Sequence, residues 1–237
     1  MVNSGDPLGE MLAGAIREGG ENLQPGDVLA VCQKVVSKRE GRVVDLSTVA
    51  PSSRAQTWAS EHGKDPRVVE LVLREAKRIV RMEKGLIIAE TQGGLVCANA
   101  GIDLSNAAGP EQAILLPSDP DVSAARLREE ILAITGQPVG VVITDTFGRP
   151  WREGVLDVAI GVSGLRPLLD LRGGQDWTGR PLETTLIAIA DQIAAAAGIV
   201  MGKADGTPAA IVRGAGEWLG EGSAAELIRP AKRDFFR

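Results

Sequence analysis

The chain has 237 residues, 44% of them apolar and 24% charged, which is enough apolar material to bury a core and excludes global disorder. Its net charge of −5 excludes a general nucleic-acid binder, whose footprint is basic, but leaves room for one anionic nucleotide at a local basic patch. The length fits one or two domains, and with 3% aromatic residues and no tyrosine the core is built from Val, Ile, Leu and Ala.

In chain order, residues 7–18 place Leu8, Met11, Leu12, Ala15 and Ile16 on one face, predicting an amphipathic helix with Asp6 as N-cap and Pro7 in the first position. A turn at Pro25-Gly26-Asp27 leads into the apolar run 28–32, a buried strand. The pair Val35-Val36 follows, flanked by lysines. Residues 52–61 and 66–82 read as helices, and 85–89 and 94–98 as paired strands around Thr91-Gln92-Gly93. A helix is predicted over 122–135, starting near Ser123, and the clearest central strand over 138–144. Residues 155–162 form a further strand within the glycine-rich stretch 150–181, the least regular part of the chain. An Ala-rich helix over 182–197 ends at Gly198, 209–213 is a late strand, and 221–237 a polar helix. The mixture has no strict βαβ repeat and predicts an α+β protein: a single unit over 1–237, divisible into two subdomains without a sharp boundary.

Cys32 and Cys97 have no CxxC spacing and no nearby histidine, so they read as buried strand residues rather than zinc ligands. The single histidine, His62, lies in a polar stretch and is expected at the surface, which argues against histidine-based catalysis. No apolar run is long enough to span a membrane and the N-terminus has no basic-then-apolar signal pattern, so a cytoplasmic protein is expected.

Four segments carry residues suited to chemistry. In Asn99–Asn106, Asp103, Ser105 and Asn106 gather around a glycine after a strand; such oxygens suit Mg²⁺ or Mn²⁺, and they suit an Asx turn equally well. In Thr144–Arg152, an apolar strand delivers Asp145 and Thr146 at its carboxyl end, with Arg149 and Arg152 for an anionic substrate; a turn with a surface salt bridge is the plainer reading. The loop Met201-Gly202-Lys203-Ala204-Asp205-Gly206-Thr207 has glycines and a lysine suited to phosphate, though not P-loop spacing, and also reads as an ordinary loop after a helix. In the segment Gln33–Lys38, Lys34 and Lys38 are suited to neutralise phosphates, or form a solvated edge.

The segments QKVVSKREGRVV (33–44), VCANAGIDLSN (96–106), ITDTFGRPWREG (143–154) and VMGKADGTPAAIVRG (200–214) together resemble the coenzyme F420-0:L-glutamate ligase, or F420 gamma-glutamyl ligase, family, in order from about Gly5 to Gly216. The resemblance implies an intertwined homodimer that joins L-glutamate to the coenzyme F420 precursor. GTP phosphorylates a carboxylate, glutamate attacks the acyl phosphate, and a second round adds a γ-linked glutamate. Mg²⁺ or Mn²⁺ is required and K⁺ assists. It further implies that Asp103, Asp145 and Thr146 meet the metal. Gln33, Lys34, Lys38, Asn106, Thr146 and the loop Met201, Gly202, Lys203, Ala204, Asp205, Gly206 and Thr207 meet the nucleotide. Three positions depart from the family pattern. Lys203 stands where some members have a metal-binding Glu; a charged lysine ligates no metal, so either a metal is lost or Lys203 contacts phosphate. Gln92 stands where many members have histidine, and only Met1 to Ser4 precede the Gly5-Asp6-Pro7-Leu8 match, a shorter nucleotide-holding N-terminus than the family's. The alternatives are a metal-dependent nucleotide phosphohydrolase using the same aspartates, and a non-catalytic nucleotide- or cofactor-binding protein.

Overall fold

A computed structural model of the protein describes residues 1–107 and 109–235. In chain order the first half holds helix α1 (Leu8–Glu18), strand β1 (Val28–Cys32), α2 (Gln33–Arg39), β2 (Val43–Asp45), α3 (Ser53–His62), α4 (Pro66–Glu75), β3 (Ala76–Glu83), β4 (Leu86–Thr91), β5 (Val96–Ala98) and β6 (Gln112–Ile114). The second half holds α5 (Pro120–Thr135), β7 (Gly140–Arg149), β8 (Arg152–Ser163), β9 (Leu168–Asp170), β10 (Leu186–Ala188), α6 (Ile189–Met201) and β11 (Ala209–Val212). This is the α+β architecture expected from the sequence.

The central sheet has the order β11-β1-β7-β8, with β1 and β7 parallel and the other pairs antiparallel. Side chains alternate across it. Leu29, Val31, Val141 and Ile143 point to one face, against Leu8 and Leu12 of α1 and Leu127 and Ile131 of α5. Val28 and Val142 point to the other, against Ile189, Ala190 and Ile193 of α6, with Ala30 under Ala197 and Met201. Both faces are covered, which is why β1 and β7 read as continuous apolar runs. Fully burying one such Leu or Ile is worth roughly 1.5–3 kcal/mol. A second core lies between α3, α4 and the three-stranded sheet β3-β4-β5. Two-stranded ribbons β2-β6 and β9-β10 complete the fold.

Local signals set many boundaries. α3 starts where Ser52 caps the Ala55 N–H and stops at Gly63, which is left-handed with φ 63°. α5 starts three residues before Ser123, because Asp119 caps Val122 and Pro120 takes the first turn. α1 begins at Leu8 with Pro7 at the cap; Asp6 accepts instead from the Asn3 N–H at 2.7 Å.

Several expectations are corrected. The helix predicted over 66–82 ends at Glu75, and residues 76–83 form β3, paired antiparallel with β4. The lysine-flanked Val35-Val36 segment is the helix α2, not a solvated edge: Gln33, Lys34 and Ser37 are buried. The helix predicted over 182–197 starts at Ile189 and runs through Gly198 to Met201, its first residues being taken by β10. The tail predicted as a helix over 221–237 forms short 3-10 turns at Ala224–Leu227 and Ala231–Arg233, and residues 236 and 237 lie outside the described residues.

Candidate functional site

Asp145 reaches the site by outrunning its neighbour. β1 pairs with β7 only as far as Cys32↔Thr144, so Asp145 is the first residue beyond the parallel register. The strand itself does not end there, as the sequence suggested, but continues to Arg149 in a long hairpin with β8. The carboxyl-end position therefore belongs to the sheet rather than to the strand.

Asp103 reaches it through a left-handed turn. After β5, Asn99, Ala100 and Gly101 have φ of 52°, 53° and 74°, a strained run for non-glycine residues. A Cβ on Gly101 would lie 2.5 Å from Leu116 Cδ1, so only glycine fits. Asp103 is then clamped to the end of β6: its N–H donates to the Ile114 carbonyl at 2.9 Å, and the Ile114 N–H returns the bond at 2.8 Å. β6 was not foreseen in the sequence, yet it holds this aspartate.

Helix α2 supplies two lysines one turn apart. Lys34 Nζ is 2.7 Å from Asp103 Oδ2 and 3.2 Å from Ser105 Oγ, while the Ser105 N–H donates to Asp103 Oδ1 at 2.7 Å. Lys38 Nζ donates to the Asn106 carbonyl at 2.6 Å. The Asx turn that the sequence allows equally well for Asp103 is thus present, but it carries a buried lysine with it. On the opposite side, Thr146 Oγ1 accepts from Lys203 Nζ at 2.9 Å and donates to Asp157 Oδ1 at 2.7 Å.

The two aspartates differ electrostatically. Burial pushes Asp145 up to about 6, helped by the charge of Asp103 and opposed by the Thr146 N–H, Lys34 and Lys203. Burial acts on Asp103 too, but hydrogen bonds from Lys34 and Ser105 outweigh it and hold its carboxyl below the ordinary range. Burial raises both thiols, Cys97 to about 12, so neither is a ready nucleophile. His62 is remote from this chemistry, stacked on Trp58 with ring centroids 4.4 Å apart.

Asp103, Asp145 and Thr146 open onto a cleft of about 1140 Å³ between the β3-β4-β5 sheet and the β7–β8 hairpin. Val80, Leu86, Ile88 and Val96 form one wall, Phe147, Pro150 and Trp151 the other, with Arg81, Arg149, Arg229 and Phe235 around them. Arg152 is not among the lining residues. A smaller cavity of about 430 Å³, between α1 and the end of α5, contains none of the sequence-predicted site residues.

The structure therefore brings Asp103, Asp145 and Thr146 to one end of this cleft, with Lys34 bonded to Asp103, Lys203 to Thr146 and Lys38 to the Asn106 carbonyl behind its lining. Gln33 is turned inward, its Oε1 accepting from Ser37 Oγ at 2.8 Å, and Met201 packs in the core against Ala30. Gly202, Ala204, Asp205, Gly206 and Thr207 form an exposed loop. There, Gly202 has φ 60° and ψ −170°, a conformation essentially restricted to glycine, as α6 gives way to Lys203. Gln92 is exposed in the turn between β4 and β5. Asp157 and the apolar walls of the cleft were not singled out from the sequence; nothing local in LDVAIG marks Asp157 as other than a strand carboxylate.

Among the described residues no three His, Cys, Asp or Glu side chains gather as a metal cage. The donor set nonetheless fits a hard divalent cation: two carboxylates and a hydroxyl, with a half-buried aspartate whose charge is incompletely compensated. Mg²⁺ takes its remaining ligands from water and phosphate in such sites.

Comparison with known proteins sharpens this picture. The family model for F420-0:Gamma-glutamyl ligase matches residues 1–214. This chain belongs to the F420-0:gamma-glutamyl ligase family. Curated relatives named coenzyme F420:L-glutamate ligase include one from Methanopyrus kandleri, 51% identical over 100% of this chain and 93% of its own length. Another, from Methanothermobacter thermautotrophicus, is 45% identical over 100% of this chain and 95% of its own. A third, from Methanocaldococcus jannaschii, is 46% identical over 91% and 86%. The match to the F420-0:gamma-glutamyl ligase family spans both sheets, so the two aspartates and the lysines of α2 all lie inside it.

Proposed function

We propose that this protein is a GTP-dependent ligase that joins L-glutamate to the coenzyme F420 precursor through an acyl phosphate, and can add a second, γ-linked glutamate. The observation that carries this reading is the convergence of Asp103, Asp145 and Thr146 with Lys34, Lys38 and Lys203 at one end of a large, partly apolar cleft. A free carboxylate is a poor acyl donor, so it must gain a leaving group. A carboxylate oxygen of the precursor attacks the γ-phosphorus of GTP, and the bond to GDP breaks. The glutamate nitrogen then forms its bond to the acyl carbon, the carbon–oxygen bond to phosphate breaks, and the amine proton is lost to solvent. Such chemistry needs positioning and charge neutralisation more than it needs a nucleophilic side chain.

In this reading Asp103, Asp145 and Thr146 would hold Mg²⁺ or Mn²⁺, and a K⁺ ion assists. The divalent ion, when bound, supplies charge neutralisation for the phosphates and the developing phosphoryl charge. Lys34 and Lys38 hold the 103–106 loop and face the nucleotide, and the Gly202–Thr207 loop covers it. The apolar walls take the planar ring of the precursor, and Arg81, Arg149 and Arg229 take its anionic groups. We place the protein in the cytoplasm and as a homodimer; no helix among the described residues is long and apolar enough to cross a membrane.

The test is mass spectrometry of the precursor after incubation with GTP, L-glutamate and Mn²⁺. Wild type yields glutamylated product, and Asp145→Asn lowers the yield at least about a hundredfold. Phosphate release from GTP without precursor or glutamate would instead support a phosphohydrolase.

A further inference from the structure

Thr146 and Asp157 face each other across the β7–β8 hairpin as register partners. The Thr146 hydroxyl has one proton, and Asp157 Oδ1 accepts it at 2.7 Å. Its lone pairs are therefore directed away from Asp157, and one of them receives Lys203 Nζ at 2.9 Å. The Asp157 carboxylate is itself seated by helix α6. A Cβ on Gly198 would come within 2.6 Å of Asp157 Oδ2, so the glycine inside this helix leaves the space that the carboxylate fills. Glycine is costly in a helix interior, and here that cost coincides with room for a polar group.

We propose that Asp157 is a positioning residue that acts through Thr146 to place the Lys203 ammonium as a fixed cation for the terminal phosphates of the nucleotide. This rests on the GTP reading above. Without Asp157 the Thr146 hydroxyl loses the acceptor that fixes its rotation, and its lone pair is no longer held in line with the Lys203 ammonium. Lys203 is solvent-exposed, and its contact with Thr146 brings its ammonium beside the residue next to Asp145.

The experiment is calorimetric titration of GTP, with Mg²⁺ present, into the full chain carrying Lys203→Ala, Asp157→Ala, Gly198→Ala and the pairwise combinations with Lys203→Ala. Loss of one charge-assisted contact predicts about tenfold weaker GTP binding for Lys203→Ala. Asp157→Ala and Gly198→Ala each weaken binding in the native background but add less than about twofold once Lys203 is gone, as expected for residues acting as one unit. Gly198→Ala removes no charge and favours the helix, so it distinguishes lost positioning from lost folding. Steady-state kinetics should show a raised KM for GTP and an unchanged KM for glutamate, with Thr146→Ser keeping the coupling that Thr146→Val abolishes. Additive effects of Asp157→Ala and Lys203→Ala, or equal rises in both KM values, would overturn the proposal alone. Wild type that binds no GTP would overturn the nucleotide reading and this proposal with it.

Discussion

At the residue scale, the two site aspartates have similar neighbours and opposite electrostatics. Asp103 has a lysine and a serine to itself, whereas Asp145 is more deeply buried and shares its compensating charges. The raised value of Asp145 has a consequence for the metal-free protein. Its ordinary value is about 4 and its folded value about 6, so between these pH values the folded state holds a proton that the unfolded chain has lost. Stability therefore falls as pH rises through this window. Asp145→Asn removes the effect, and the metal-free variant should be more stable than wild type by about 3 kcal/mol at pH 8, with the gap closing toward pH 4. Urea denaturation of both forms at pH 4, 6 and 8, with chelator, checks this. A gap independent of pH would refute the assignment.

At the scale of elements, the site depends on how closely helices approach the central sheet. Gly161 of β8 lies against the start of α5: a Cβ there would be 2.3 Å from the Pro120 carbonyl oxygen, a backbone atom that cannot swing aside. Val162, the next residue, donates its N–H to Asp121 Oδ1 at 2.7 Å, and Ser223 and Ala224 donate to the same carboxylate. This junction pins β8, α5 and the C-terminal segment together. Gly161→Ala should destabilise the protein by about 1–3 kcal/mol, lowering Tm by roughly 2–10 °C in thermal unfolding. An unchanged Tm would mean that the helix can move away from the sheet.

At the scale of the whole molecule, apolar side chains remain exposed on adjoining elements. Val155 of β8 is 64% exposed, and Ile199 and Val200 at the end of α6 are 84% and 66% exposed. These side chains are candidate contacts for the proposed homodimer. The double variant Ile199→Glu with Val200→Glu should sediment as a monomer at concentrations where wild type is a dimer. Its Tm as a monomer should stay within a few degrees of wild-type monomer, because neither side chain contributes to the core. A dimer that survives both charges would place the interface elsewhere.

By itself the sequence determined the α+β class, the helices α1, α3 and α5, and the strands β1, β5 and β11, because each rests on local periodicity, a cap or a bounding turn. Through the resemblance of several segments taken together, it also pointed to Asp103, Asp145, Thr146 and the lysines as candidates. The sequence also placed β4, β7, β8, α4 and α6, with shifted bounds. Other features were decided only by tertiary structure. Residues 76–83 are a strand because β4 offers a pairing edge that no local pattern records, and residues 182–188 leave the helix because part of this stretch, as β10, pairs with β9. Val35-Val36 helped form a helix that buries Lys34, since the partner of that lysine lies on a loop far along the chain. The part proposed for Asp157 has the same origin. A carboxylate in a strand acquires a role only when the opposite strand brings it a hydroxyl, a distant loop brings that hydroxyl a lysine, and a glycine in α6 makes room for it.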